Sequence, residues 1–401
     1  MEESFAWKIV YVATIFSLLV LGLAYYLISP RDSTYYSDEK TNKVAEFTSA
    51  RTSGRKDGKR VWEFKAKTGW TEKNQEITHL QGVSEGYIYN KEGRLIVNDL
   101  SANGTDVYRR TDIVEAFGQV KADIDLSKFS SQKKAKVDWT KVTADRMKYS
   151  NRNKTSEISG HITLIKRNNI IIAEQINVDH DRKIALIPSQ ATVKRKDGII
   201  KADSLEYFGE TEQSNANGNI ILDLKEKKIK TQVKCNEASF NNDPEKDVTL
   251  NGNLEVVQGK KVSVADSGVY SKNRKSLRLL GRTKTIIEKV GAVIKKESVE
   301  KLKSPEQKEL LHEKTVVTAN KMFFSTKTGD AKAFGNVIVT QKGREAKADS
   351  ATYDDKNEFL TLTGNVFMKK KDQWISCKQV IVSINKETFE ALGVKEAKFK
   401  L

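Results

Sequence analysis

The chain has 401 residues, with 70 Lys+Arg against 53 Asp+Glu, a formal net charge of +17, and a hydrophobic share of 38% beside 31% charged residues. That is too little apolar material for one compact globule and too much Val, Ile, Leu and Tyr for a disordered polymer, so a thin, surface-rich fold is expected. Two Cys and four His (His79, His161, His180, His312) exclude a disulfide framework and a four-cysteine zinc site, so no catalytic residues, metal or cofactor are expected. The basic excess points to an anionic partner such as nucleic acid, an acidic membrane surface or a phosphorylated ligand.

In chain order, the first element is the uncharged run Ile9–Ile28, twenty residues closed by Ser29-Pro30. A helix of that length crosses a hydrocarbon core of about 30 Å. Its Tyr25-Tyr26-Leu27-Ile28 end lacks the small residues of a signal-peptide cleavage site. Residues 1–30 are therefore expected to be a retained single-pass anchor. A count of flanking positive charges would place the rest of the chain in the cytoplasm, but long domains are translocated largely regardless of charge. Residues 31–60, rich in Ser, Thr, Lys and Arg, read as a stalk or linker.

A repeat governs the remainder. A Gly in an apolar setting recurs at Gly118, Gly160, Gly218, Gly252, Gly281, Gly335, Gly364 and Gly393, with steps of 29 residues from 252 to 281, 335 to 364 and 364 to 393. At 189, where the same step expects another Gly, the chain carries Pro188-Ser189. About sixteen residues before each of these positions sits a small residue (Ala66 before Gly82, then Ala102, Ala144, Ala173, Ala202, Ala265, Ala319 or Ala348), with Cys235 and Cys377 in the same slot. Positions −2, +2 and +4 from the Gly are apolar, as in Ile158, Ile162 and Leu164 or Leu362, Val366 and Met368. That period of two makes each unit a pair of strands with one buried face. The Gly marks a sharp bend or a close approach of another backbone. The parity shift around the small-residue slot implies a corner.

The fold class expected is all-β, stacked two-strand repeats over residues 61–281 and 319–401, separated by a charged insertion at 282–318. Within the insertion, Ser304-Pro305-Glu306-Gln307 has the pattern of a helix N-terminus. From Gly393 the chain alternates to its end, so Ala397, Phe399 and Leu401 are expected inside and Glu396, Lys398 and Lys400 outside, on a strand whose edge is open to pairing. Two motifs are decoys. Gly82-Val83-Ser84-Glu85-Gly86 matches the hydrolase elbow but precedes strand-like sequence where a helix is needed. The two Cys, in the slot Ala fills elsewhere, read as buried small residues.

Residues 335–393, with Gly-Asn-Val, Ala-Asp-x-x-x-Tyr and Leu-x-Gly-Asn-Val strands in succession, resemble the OstA-like superfamily of lipopolysaccharide-export bridge proteins, and residues 61–401 do so more loosely. The N-terminal anchor is similar to that of the membrane-anchored LptC-like branch. The resemblance implies an elongated open β-jellyroll and an inner-membrane, periplasm-facing chain that carries lipopolysaccharide or a related anionic glycolipid. Its implied partners are the membrane subunits of an ABC transporter and other bridge proteins joined edge to edge. Ten units are about twice what one anchored bridge subunit needs. Candidate groove residues are then Ile162, Leu164, Ile220, Leu222, Leu254, Val256, Val337, Val339, Val366 and Met368, with Tyr207, Tyr270 and Tyr353 nearer the rim. The candidate partner edge is Ala397, Lys398, Phe399, Lys400 and Leu401. No phosphate-binding loop is present to power transport. Nucleic-acid binding is disfavoured because the basic residues are spread throughout. The alternatives are an anchored β-solenoid scaffold or adhesion protein with a closed dry core, and a carbohydrate-active enzyme, whose clustered carboxylates are not found, since Asp179, Asp181 and Asp354-Asp355 fall at connections.

Overall fold

The computed structural model describes residues 43–125, 139–288 and 312–399, apart from 91, 167, 197, 226–229, 242, 244 and 384–387. The expected anchor at 9–28 and the expected helix start at 304–307 lie outside the described residues. Among the described residues no helix is long and apolar enough to cross a membrane.

The first half holds β1 (Lys43–Lys56), β2 (Lys59–Glu72), β3 (Ile77–Tyr89), β4 (Leu95–Tyr108), β5 (Ile113–Asp125), β6 (Trp139–Ser150), β7 (Thr155–Lys166), β8 (Asn169–Asp179), β9 (Ile184–Ile187), β10 (Ala191–Arg195), β11 (Gly198–Ala202) and β12 (Ser204–Phe208). The second holds β13 (Gln213–Lys225), β14 (Lys230–Asn241), β15 (Val248–Gln258), β16 (Lys261–Ser271), β17 (Ser276–Ile287), β18 (Thr315–Ser325), β19 (Ala331–Gln341), β20 (Arg344–Asp354), β21 (Phe359–Lys370), β22 (Gln373–Ser383), β23 (Thr388–Leu392) and β24 (Glu396–Lys398). All 24 described strands belong to one sheet, and every pairing is antiparallel, almost always between neighbours in sequence. The fold is all-β, as the period-two pattern requires. Strand β1, of 14 residues, lies within the segment that reads as a stalk. The sheet also continues across the charged insertion, because Ile287 of β17 pairs directly with Thr315 of β18.

The repeat appears as a corner inside each long strand. In β21, Thr363 pairs with Gln379 and Val366 with Cys377, so Gly364 and Asn365 together oppose a single residue, Lys378. This is a β-bulge, and both bulged residues have left-handed backbones, with φ of 82° and 46°. Glycine pays no Cβ penalty there, and Asn is the side chain that tolerates it best. Asp349 of the preceding strand closes the corner, accepting a hydrogen bond from Asn365 Nδ2 at 3.0 Å. A Cβ on Gly364 would lie 2.9 Å from the Cβ of that Asp349.

The small-residue slot has a packing reason. Ile162 faces Ala173, Ile220 faces Cys235, Leu254 faces Ala265, Val337 faces Ala348 and Val366 faces Cys377 across neighbouring strands. A large side chain two residues past the Gly is thus matched by a small one beside it, as close packing demands. Most units are single strands of 11 to 14 residues bent at the corner, not two separate short strands. Separation occurs where Pro188 follows β9: proline has no N–H for the ladder, and the strand resumes only at Ala191 of β10.

The inward residues of β2 to β22 join one apolar cluster that runs from Trp62 to Val380. One sheet reaches near-complete burial on one face only by curling onto itself.

Two glycines separate backbone strain from crowding. Gly343, in the turn between β19 and β20, also has positive φ, but nothing lies within 4 Å of a Cβ built on it. Gly343→Ala is expected to cost about 1–2 kcal/mol from backbone strain alone, and Gly364→Ala clearly more, because Asp349 must also move. Urea-unfolding midpoints of the two variants check this, and equal costs would contradict the corner account.

Candidate functional site

The site candidates divide by burial. Ile162, Ile220, Leu222, Leu254, Val256, Val337, Val366 and Tyr270 are buried members of the single apolar cluster, and Leu164, Val339 and Met368 pack against it at its margin. Tyr207 and Tyr353 are half-buried. The chain thus gathers eleven of the thirteen into one continuous strip. Ile162, Ile220 and Val366 are 0% exposed, so the strip is packed and the side chains themselves fill it.

Sequence reasoning missed the seam where the curled sheet meets itself. Gln258, at the end of β15, donates from Nε2 to the backbone oxygen of Ser325, at the end of β18, at 3.3 Å. Beside it the Lys261 ammonium lies 5.1 Å from the centre of the Tyr353 ring, although β16 and β20 are not neighbours in the sheet. Lys261 is 9% exposed, and burial holds its pKa below the ordinary lysine range against the opposing pull of Asp355 and Asp330. Burial likewise pushes the Tyr353 hydroxyl pKa up. Deeper in, Thr285 Oγ1 donates to Met322 Sδ at 3.1 Å across the curl of β17 and β18. Near the other end, Lys56 Nζ and Asp112 Oδ2 lie 2.5 Å apart and tie the end of β1 to the turn before β5. These contacts join residues 37 to 92 positions apart and have no local sequence signal.

A cavity of about 400 Å³ opens beside the Lys56–Asp112 pair. Trp62, Ile88, Val107 and Val114 line it with Tyr149, and Arg55, Lys56 and Arg109 stand around it. Burial pushes the Tyr149 hydroxyl up to about 12, so it remains a donor at any physiological pH.

Both thiols are free and buried in the small-residue slot, and burial pushes Cys235 up to about 11 and Cys377 upward. Ser84 lies in the middle of β3, with strand on both sides, so the elbow geometry is absent there. Among the described residues no group of three or more His, Cys, Asp or Glu is placed to hold a metal ion.

The terminal strands leave two open edges. Strand β1 pairs only with β2, and β23 and β24 pair only with β22 among the described residues. Contrary to the inward positions expected for them, Ala397 and Phe399 are exposed. An alternating strand buries a face only where a second layer covers it, and none of the described residues covers this one. Phe389, Leu392 and Val394 are exposed beside them. Lys398 is exposed, while Lys400 and Leu401 lie outside the described residues.

With this geometry in place, comparison with known proteins is informative for part of the chain. Residues 232–388, from β14 to the start of β23, match the family described as LptA/(LptD N-terminal domain) LPS transport protein. Among solved structures, one that is similar is the crystal structure of LptH, the LptA-homologous periplasmic component of the lipopolysaccharide transport device of Pseudomonas aeruginosa. The two are 12% identical, with a TM-score of 0.27, over 35% of this chain and 94% of that one. No curated protein matches the sequence.

One side chain makes the stability of this body pH-dependent. His180, after β8, places Nε2 2.7 Å from Ser156 Oγ and meets the edge of the Tyr149 ring, and burial lowers its pKa below the ordinary 6.5 despite Asp179 and Asp181. A group with a depressed folded-state pKa binds its proton more readily when unfolded. The stability it contributes is therefore complete above about pH 6.5 and is lost as pH falls through its lower folded value. The expected result is a smaller drop in unfolding midpoint between about pH 7.5 and 5 for His180→Phe than for the unaltered chain. An equal or larger drop would contradict it.

Proposed function

We propose that the chain is a membrane-anchored periplasmic bridge that carries lipopolysaccharide, with the acyl chains running along the apolar strip inside a β-jellyroll. The observation that carries this reading is the continuity of that strip: one cluster of buried apolar residues extends from Trp62 to Val380. The match of residues 232–388 to a lipopolysaccharide-transport family supports it. So do the two open sheet edges, which suit head-to-tail joining to other bridge proteins by strand addition.

In this reading residues 9–28 hold the chain in the inner membrane as a single-pass helix, as in the LptC-like branch, and an ABC transporter supplies the energy. The chain is a carrier and not an enzyme. Burying acyl chains contributes about 0.8 kcal/mol per methylene, so affinity needs no specific contact. The exposed lysines attract the phosphorylated head group, less so at high salt. Because the strip is packed, passage of an acyl chain requires the seam at Gln258, Lys261 and Tyr353 to part.

That same packing favours a second reading, a scaffold whose closed core never admits lipid. Photo-crosslinking amino acids at the margin of the strip, at Leu164, Val339 and Met368, test the choice with little disturbance of the core. In cells that make lipopolysaccharide, capture is expected from these three positions and not from the exposed Lys121 or Lys347. Capture at neither set, or equally at both, would contradict the carrier reading.

A further inference from the structure

The cavity near the open β1 edge combines features that the strip lacks. Its floor is apolar, formed by Trp62, Ile88, Val107 and Val114, all buried. Its rim is cationic. Arg55, at the end of β1, and Arg109, after β4, are both exposed and make no ion pair among the described residues. Elsewhere around this end the charges are satisfied: Arg110 meets Glu76 at 3.4 Å, and Lys56 neutralises Asp112, the carboxylate on the rim. Two unpaired guanidiniums above an apolar hole present planar, multi-donor groups suited to a carboxylate or phosphate.

We propose that this cavity is a chamber for one acyl chain bearing an anionic head, of the fatty-acid or alkyl-phosphate class, with Arg55 and Arg109 reading the head. The assignment rests on the lipid-carrying reading and specifies the ligand at one end of the path. Size sets the class. A volume of about 400 Å³, at roughly 30 Å³ for each water-sized group, holds about thirteen such groups. That is room for a single chain of medium length. The Tyr149 hydroxyl, which donates to Asn151 Oδ1 at 3.5 Å, lines the same cavity.

The experiment is calorimetric titration of the full chain with monododecyl phosphate, dodecanoate and the neutral dodecyl maltoside, each below its micelle concentration. One site per chain is expected for the two anions, with at least tenfold weaker binding of the maltoside. The surface double variant Arg55→Glu/Arg109→Glu is expected to weaken both anions at least tenfold and leave the maltoside unchanged. Ile88→Trp, which fills the chamber, is expected to abolish binding of both anions. No saturable binding of either anion, maltoside binding equal to theirs, or anion binding indifferent to both variants would overturn the proposal. Met368→Glu, at the far end of the strip, separates the two readings. It should leave dodecyl phosphate binding intact while removing lipopolysaccharide capture at Val339. Failure of the chamber variants alone leaves the carrier reading standing, and failure of strip capture alone leaves the chamber standing.

Discussion

The architecture depends on a backbone constraint repeated along the chain: two consecutive left-handed residues in the middle of a strand, opposite one residue of the next. Gly218-Asn219, Gly252-Asn253, Gly335-Asn336 and Gly364-Asn365 share it, and Gly118-Gln119 and Gly160-His161 adopt the same conformation. A strand without such a bulge stays nearly straight, and a sheet of straight strands leaves one of its faces in water. The bulge bends each strand at the same level as its neighbours, so the bends line up into a fold line and the inner face closes on itself. The Asp or Asn one strand back (Asp203, Asn236, Asn320, Asp349) sits directly over the Gly and leaves no room for a side chain there. Backbone conformation, residue type and the spacing of about sixteen residues are therefore consequences of one hairpin geometry.

From that fold line the interior follows. Close approach at the corner demands a small partner beside each large residue, which is why Ala and Cys occupy one slot and Ile, Leu or Val the other. The resulting strip is continuous but filled, and its integrity rests on few contacts where the curl closes. In the proposed carrier the filled strip would keep its apolar face away from water between loads, because the side chains themselves cover it. Opening it costs the Gln258–Ser325 hydrogen bond and the burial of Lys261 over Tyr353, both on the rim, while the corners stay intact. In that reading the seam would part while the corners hold, as local opening allows.

Much of this was legible in the residues. Gly364 marks a sharp bend, Ala348 and Cys377 mark a slot for small buried residues, and the parity of Leu250, Leu254 and Val256 locates the buried face; the left-handed bulge at Gly364-Asn365 is what the structure adds. Strand β1 was not legible, because Lys43–Lys56 alternates Ser, Thr, Lys and Arg on an edge strand exposed along most of its length and so leaves no apolar period. The outward setting of Ala397 and Phe399 escaped notice for the opposite reason. Their alternation is real, but an alternating strand buries a face only where a second layer covers it. The seam and the cavity join residues such as Lys56 and Asp112 or Lys261 and Tyr353, far apart in sequence, through the curl of the whole sheet, which no local pattern encodes.

The central claim is that the filled strip gives way to lipid. Native mass spectrometry of the full chain, purified gently from a lipopolysaccharide-producing cell, measures this directly. The account predicts a population carrying an acylated glycolipid, lost when Gln258 and the Ser325 strand end are tied together by an engineered disulfide. A chain that is lipid-free with and without that tie would contradict it and leave a closed scaffold.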